Sequence, residues 1–218
     1  YEYAAMVHSL DENVGRILAK ISDLGIDDNT IVIFFSDNGG YINRYENNAV
    51  TDNYPLRSGK GSLYEGGTRE PLIIRWPGVT KAGTLCTHPV ISTDFYPTIL
   101  DMTGLNGDSK HKTDMDGLSL VSLLKNPGTG LKRKALYWHY PHYYPTTSPV
   151  SSIREGDWKL IEYFEDNRIE LYNLKKDIGE KNNLAEKIPD KTEELRKLLH
   201  SWRKAVDAQI PVKNPKYR

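Results

Sequence analysis

The chain is poor in cysteine. Among its 218 residues only Cys86 is a cysteine, so an internal disulfide framework is excluded and cysteine usage is silent on compartment. It also lacks an excess of either charge. Its 29 basic side chains balance 29 acidic ones, which removes any general electrostatic drive toward nucleic acid or an acidic membrane surface. No apolar run approaches the roughly 20 residues that span a bilayer. Neither a nucleic-acid nor a membrane partner is therefore expected. There is no internal repeat and no low-complexity tract. Phenylalanine is scarce, 4 residues against 14 tyrosines. Tyrosines in such number suit sugar or aromatic contacts, although partly buried core positions are their commoner use. The sequence opens Tyr1-Glu2-Tyr3, without an initiator Met or a visible signal peptide. What remains is a globular composition, 27% charged and 10% aromatic, long enough for one large domain or two small ones.

The most informative stretch is Thr30 to Gly40. Five apolar residues, Ile31 to Phe35, end abruptly in Ser36-Asp37-Asn38-Gly39-Gly40. A short run of β-branched and aromatic residues predicts a strand buried on both faces, as in a parallel sheet. Ligands of open α/β sheets gather beyond the carboxyl ends of strands. There Asp37 and Asn38 offer a charged and a neutral oxygen, hard donors that suit Ca²⁺ or Mg²⁺. An Asx turn closed by glycines is the structural alternative.

Around this strand the pattern predicts a helix over 3–24, with Tyr3, Val7, Leu10, Val14, Ile17, Ile21 and Leu24 at helical spacing and Gly25 as its stop. It predicts a polar surface loop over 43–53, strands over 72–76 and 89–92, a helix over 93–103, a polar segment over 106–116 and a short helix over 118–124. After about residue 130 four strands are expected, over 135–140, 150–154, 157–164 and 168–174, joined as an antiparallel sheet. A closing helix over 189–206 carries Leu195, Leu198, Leu199, Trp202 and Val206 on one stripe.

Two further segments complete a motif set. One is Leu56-Arg57-Ser58-Gly59-Lys60-Gly61, followed by Glu65-Gly66-Gly67-Thr68-Arg69-Glu70-Pro71 and closed by Pro77-Gly78. The other runs from Glu170 to Leu184. With the Ser-Asp-Asn-Gly-Gly strand end and the Ser9–Leu18 segment, this set resembles the sulfatase family, the arylsulfatase-like branch of the alkaline phosphatase superfamily. The resemblance covers most of the chain and implies an α/β fold. A partial alkaline-phosphatase-like sheet with flanking helices would occupy residues 1–130, and a small antiparallel sheet plus C-terminal helix would occupy 131–218.

The resemblance also implies chemistry. Sulfate ester cleavage needs a nucleophile, positive charge for the developing anion and help for the leaving oxygen. In the family the nucleophile is a formylglycine, made from the first residue of a Cys or Ser-x-Pro-x-Arg motif. Cys86-Thr87-His88-Pro89-Val90 and Thr147–Ser151 both fail that pattern. Asp37 and Asn38 would be Ca²⁺ ligands, the others lying upstream, and Lys60 would contact the sulfate oxygens, the bridging one included. The chain is thus expected to be the C-terminal part of a longer enzyme, inactive by itself. Its missing N-terminal half would be its natural partner, and its open sheet edges would invite self-association. The substrate would be a sulfated carbohydrate or an aryl sulfate, and the compartment secreted, periplasmic or lysosomal. A phosphodiesterase or phosphonate hydrolase of the same superfamily, and a non-catalytic carbohydrate-binding remnant, are the alternatives.

Arg69 is expected to pair locally with Glu65 or Glu70, a structural ion pair rather than a catalytic role. Trp138-His139-Tyr140-Pro141-His142-Tyr143-Tyr144-Pro145 sets two imidazoles among aromatic rings. His139 and His142 are the candidate substrate contacts, with His139 favoured and expected on the rim of the pocket that Lys60 reaches, since imidazoles can hydrogen-bond hydroxyls or donate a proton near neutral pH. His8 and His88 read as structural, and His111 and His200 as solvent-facing.

Overall fold

The computed structural model describes every residue except Asn43, Glu46, Asn47, Lys213, Tyr217 and Arg218, and only the backbone of Arg44, Tyr45, Asn48, Ala49 and Lys112. Its elements are, in order, α1 (Glu2–Asp23), β1 (Val32–Phe35), β2 (Arg44–Tyr45), β3 (Asn48–Ala49), α2 (Glu65–Thr68), β4 (Leu72–Arg75), α3 (Phe95–Thr103), α4 (Ser109–Thr113), α5 (Val121–Lys125), β5 (Leu136–Tyr140), β6 (Val150–Glu155), β7 (Trp158–Tyr163), β8 (Ile169–Asn173) and α6 (Pro189–Ala205). They form two compact units, Tyr1–Asp37 with Pro71–Arg133, and Asn38–Glu70 with Lys134–Arg218. The segment from Asn38 to Glu70, which the sequence reading placed with the first domain, thus shares a unit with the C-terminal sheet.

In the first unit α1 follows its apolar stripe and stops at Gly25, whose φ of 65° an L-residue rarely adopts. β1 pairs antiparallel with β4, in the register Ile33 to Ile74. The expected doubly buried parallel strand is corrected here: β1 has a single neighbour among the described residues, and Phe34 and Phe35 are exposed. Where a strand was expected over 89–92, the chain instead wraps around Asp94. This fully buried carboxylate accepts from the Ile91 and Leu118 amides and takes both guanidinium arms of Arg133 at 2.7 and 2.9 Å. Its donors all come from the loops around it, so those loops close on a side chain rather than on a strand partner. α3 has Pro97 in its first turn and Gly104, φ 70°, beyond its end. The polar 106–116 segment holds the short helix α4, capped by Asp108 accepting from the Lys110 amide.

In the second unit the four expected strands form an antiparallel meander in the order β5, β6, β7, β8. Alternation divides their side chains between two faces. One face carries Val150, Ile161, Tyr163, Tyr172 and Leu174 and is covered by Leu63 and Tyr64. The other carries Ile153, Leu160 and Leu171 and is covered by Leu195 and Leu199 of α6. Tyr137 stacks on Trp202 there, with centroids 4.8 Å apart. Val206, expected on the buried stripe, lies past the helix end and is exposed. The expected 43–53 loop contains the short antiparallel pair β2 and β3, and part of it lies outside the described residues.

Candidate functional site

The glycine-bearing segments singled out in the sequence meet in the second unit through their backbones. The Gly39 amide donates to the Gly67 carbonyl at 3.3 Å, and the Lys60 amide donates to the Gly40 carbonyl at 3.1 Å. The Asn53 amide nitrogen ties the same knot, donating to the carbonyls of Ser58 at 2.9 Å and Gly40 at 3.2 Å. Glycine is needed here for proximity. A Cβ on Gly39 would run into the Gly66 carbonyl, and one on Gly61 would run into the Tyr144 ring. Three segments separated in sequence are therefore held at backbone contact, with Asn38 and Lys60 on adjoining strands of the knot.

Lys60 is exposed, with its backbone fixed and its side chain toward water. The loop between β5 and β6 lies against it: Thr146 Oγ1 donates to the Lys60 carbonyl at 2.7 Å, and Tyr144 packs on Gly61. Asn38 is half-buried, and its Nδ2 donates to the Gly39 carbonyl at 3.1 Å. Asp37, one residue before it and just past β1, is exposed. A carboxylate and an amide oxygen on consecutive residues are hard donors that fit part of a Ca²⁺ shell. Among the described residues no group of three or more His, Cys, Asp or Glu gathers as a metal cage.

A buried ion cluster anchors the knot to the sheet. Lys159, on the inward side of β7, is fully buried. Its Nζ donates to Glu65 Oε1 at 2.9 Å and lies 3.0 Å from Glu180 Oε1, close enough for an ion pair but off the hydrogen-bond direction. Glu180 Oε2 accepts the Glu65 amide at 2.6 Å, so both carboxylates fix the start of α2. Burial opposes ionisation of both. At Glu65 the charges of Lys159, Arg154 and Arg69 prevail and hold its carboxyl below the usual range. At Glu180 burial prevails and pushes it up. Arg69 meets Glu65, one of its two expected partners, at 3.5 Å, as one member of this cluster.

Beside it, Tyr64 and Tyr172 donate to the same Glu170 oxygen at 2.7 and 2.9 Å, and the Tyr163 hydroxyl donates to that of Tyr64 at 3.1 Å. Burial raises all three phenols, which stay neutral donors. Some of the many tyrosines are thus core residues with their hydroxyls satisfied.

The histidines fall differently from expectation. His139 lies on the α6 face of the sheet, opposite the face that Leu63 and Tyr64 cover. Its ring nitrogens lie 2.6 Å from Ser151 Oγ and 2.8 Å from the Gln209 carbonyl. The expectation that it shares a rim with Lys60 is corrected by that alternation: one position along β5 exchanges the faces. His142 lies in the loop that touches Lys60, exposed and edge-on to Tyr140 at 5.3 Å. His200, expected in solvent, sits 2.9 Å from Glu162 Oε2. His88 accepts from the Leu131 amide at 3.4 Å, a structural role, while His8 is exposed on α1.

Sequence reasoning did not single out Lys159, Glu180 or Asn53. A signal for Lys159 existed: it alternates with Ile161 and Tyr163, so it had to point inward and find a buried partner.

Comparisons with known proteins agree with this architecture. A family model described as Sulfatase matches residues 1–105, and one described as N-sulphoglucosamine sulphohydrolase, C-terminal, matches residues 58–208. The chain belongs to the sulfatase family. It is 37% identical to a sulfatase of Formosa agariphila over 92% of this chain and 39% of that protein. It is 36% identical to the N-acetylglucosamine-6-O-sulfatase of Bacteroides thetaiotaomicron over 93% of this chain and 35% of that protein. A solved structure of a protein in complex with its substrate D-glucosamine-2-N,6-O-disulfate superposes with a TM-score of 0.73 at 34% identity, covering 91% of this chain and 39% of that one. The chain therefore spans about two fifths of the length of the relatives it matches, with an α/β fold of the alkaline-phosphatase-like kind.

Proposed function

We propose that this chain is part of a calcium-dependent sulfatase acting on sulfated carbohydrate, and that it contributes the lysine that receives the sulfate group. The observation that carries this reading is the backbone knot, in which Gly39 bonds Gly67 and Lys60 bonds Gly40. It fixes the backbone of the exposed Lys60 against Gly40, two residues on from Asn38. Lys60 acts as a point charge on the transferred group and on the departing oxygen, where negative charge grows during cleavage. Asp37 and Asn38 hold Ca²⁺ through their side-chain oxygens, with the rest of the shell, like the formylglycine nucleophile, supplied by residues outside this chain. A bound Ca²⁺ supplies Lewis acidity toward a sulfate oxygen. His142, on the loop against Lys60, contacts sugar hydroxyls and takes the place first given to His139. The relative described as an N-acetylglucosamine-6-O-sulfatase and the neighbour holding a glucosamine disulfate support a carbohydrate substrate.

The test is Lys60→Ala in the full-length protein. Turnover of a sulfated saccharide falls by about two orders of magnitude or more. The unfolding midpoint stays in place, because the side chain is exposed and the structural contact belongs to the backbone amide. Near-normal turnover rejects the role.

A further inference from the structure

The residues just before Lys60 form one wall of a cleft, of about 440 Å³, which none of the roles above uses. Its opposite wall is the turn at 179–181. Arg57 and Lys60 are three positions apart in the chain, so their Cα atoms lie within about 11 Å of each other. The walls have a definite chemistry. Tyr54 leaves its ring to solvent, 78% exposed. Lys181 is exposed and folds its alkyl stem back over Gly179. Arg57 sits over the Tyr64 ring, its guanidinium carbon 3.9 Å from the centroid. Its Nη1 donates to the Tyr172 hydroxyl and the Glu180 carbonyl at 3.0 and 2.8 Å. Both of its hydrogen bonds among the described residues use that one nitrogen, and the remaining N–H groups are left for a ligand. Asp52 contributes a carboxylate, one oxygen of which accepts the Tyr54 amide at 2.9 Å.

Glu180 also lines the cleft, but its carboxylate is turned into the core toward Lys159 and the Glu65 amide. The charge facing the cleft is therefore two cations against the single carboxylate of Asp52. One wall carries a non-glycine residue in the left-handed region, Glu180 at φ 50°, and the other wall is followed at once by a second, Ser58 at φ 63°. Such residues cost energy and persist where the surroundings impose them. An aromatic face, two cations and one acceptor are what an anionic pyranose requires. Its C–H face lies on the ring, its sulfate or carboxylate meets the cations, and its hydroxyls bond the carboxylate.

We propose that this cleft is a saccharide subsite for an anionic sugar residue linked to the one whose sulfate is removed at Lys60. The proposal rests on the sulfatase reading for its link to Lys60. The binding chemistry rests on the cleft alone. The experiment compares Tyr54→Ala and Lys181→Ala with the unsubstituted full-length protein. Both side chains are exposed, so the fold should tolerate either change. Calorimetry measures the affinity for a sulfated glycosaminoglycan tetrasaccharide and for D-glucosamine-2-N,6-O-disulfate, alongside turnover of a small aryl sulfate. Each variant should weaken tetrasaccharide binding about tenfold, with the Lys181→Ala loss shrinking as salt is raised. Binding of the monosaccharide and turnover of the aryl sulfate should not change. Unaltered tetrasaccharide affinity in both variants overturns the subsite, and so does an equal loss for tetrasaccharide and monosaccharide. Absence of aryl sulfate turnover in the unsubstituted protein counts instead against the sulfatase reading, and the binding measurement still decides the cleft.

Discussion

In the unit built on the four-stranded sheet both faces are covered, and α6 buries Leu195 and Leu199 completely. In the other unit α1 has no buried residue at all: Leu10 is 53% exposed and Ile17 62%. The two helices carry the same kind of signal, an apolar stripe at helical spacing. The stripe fixes which face a helix offers. Whether that face is buried depends on a partner element that the stripe does not specify. β1 and β4 teach the same lesson. Their residues are apolar enough for an interior strand, yet Phe35 and Ile73 are exposed in a sheet of two strands. Both units hold charged groups in their cores, Asp94 with Arg133 in one and Lys159 with two glutamates in the other.

The largest effect should come from the core of the sheet unit. Lys159→Met removes the cation that Glu65 and Glu180 share and leaves two buried carboxylates facing each other. Breaking a buried pair by deleting one partner costs roughly 3–5 kcal/mol. Urea unfolding should record a loss of that order, and Glu65→Gln combined with Lys159→Met should recover part of it. A loss below about 1 kcal/mol would mean that the cluster does not anchor the knot.

A direct contrast of the two helices comes next. Leu195→Ala in α6 should cost about 2–5 kcal/mol, as large-to-small changes in closed cores do. Ile17→Ala in α1 of the same chain should change stability by about 0.5 kcal/mol or less, as exposed substitutions do. Equal losses at the two positions would show that α1 is covered in solution; were self-association the cause, the contrast would return at low protein concentration.

Much of this architecture was legible in the sequence, for a physical reason. The four strands of the second unit announced themselves because alternation and turn residues are local, and β5 to β8 connect in sequence order. The metal and sulfate candidates were legible because glycines flank them, and the knot shows why: a side chain on Gly39 or Gly61 has no room. The pairing of β1 with β4 was not legible, since some forty residues separate them and an apolar run does not state its partner's direction. The face of His139 was legible in principle. It alternates with Tyr137 and opposes Trp138, but the aromatic context outweighed the count. Asp94 was missed because its partners, Leu118 and Arg133, come from distant loops.

The smallest effect concerns acid. Glu162 lies on the α6 face, where Arg196 Nε, His200 Nε2 and Arg203 Nη2 approach its carboxylate at 3.0, 2.9 and 2.6 Å. These three residues form one stripe along α6, so a single carboxylate holds the helix to the sheet over two turns. Burial is the largest single influence and opposes ionisation. The hydrogen bonds from His200 and Arg196 and the charge of Arg203 together outweigh it and hold the carboxyl below the usual range. A carboxyl that is more acidic folded than unfolded contributes stability above its unfolded pKa. That contribution is lost as pH falls from the ordinary carboxylate value through the lower folded one. Glu162→Gln should therefore lower the unfolding midpoint at neutral and alkaline pH alike and flatten its fall on acidification. If the variant and the parent lose stability in parallel between pH 7 and pH 3, the α6 stripe owes nothing to the charge of Glu162, and apolar packing alone accounts for the difference between α6 and α1.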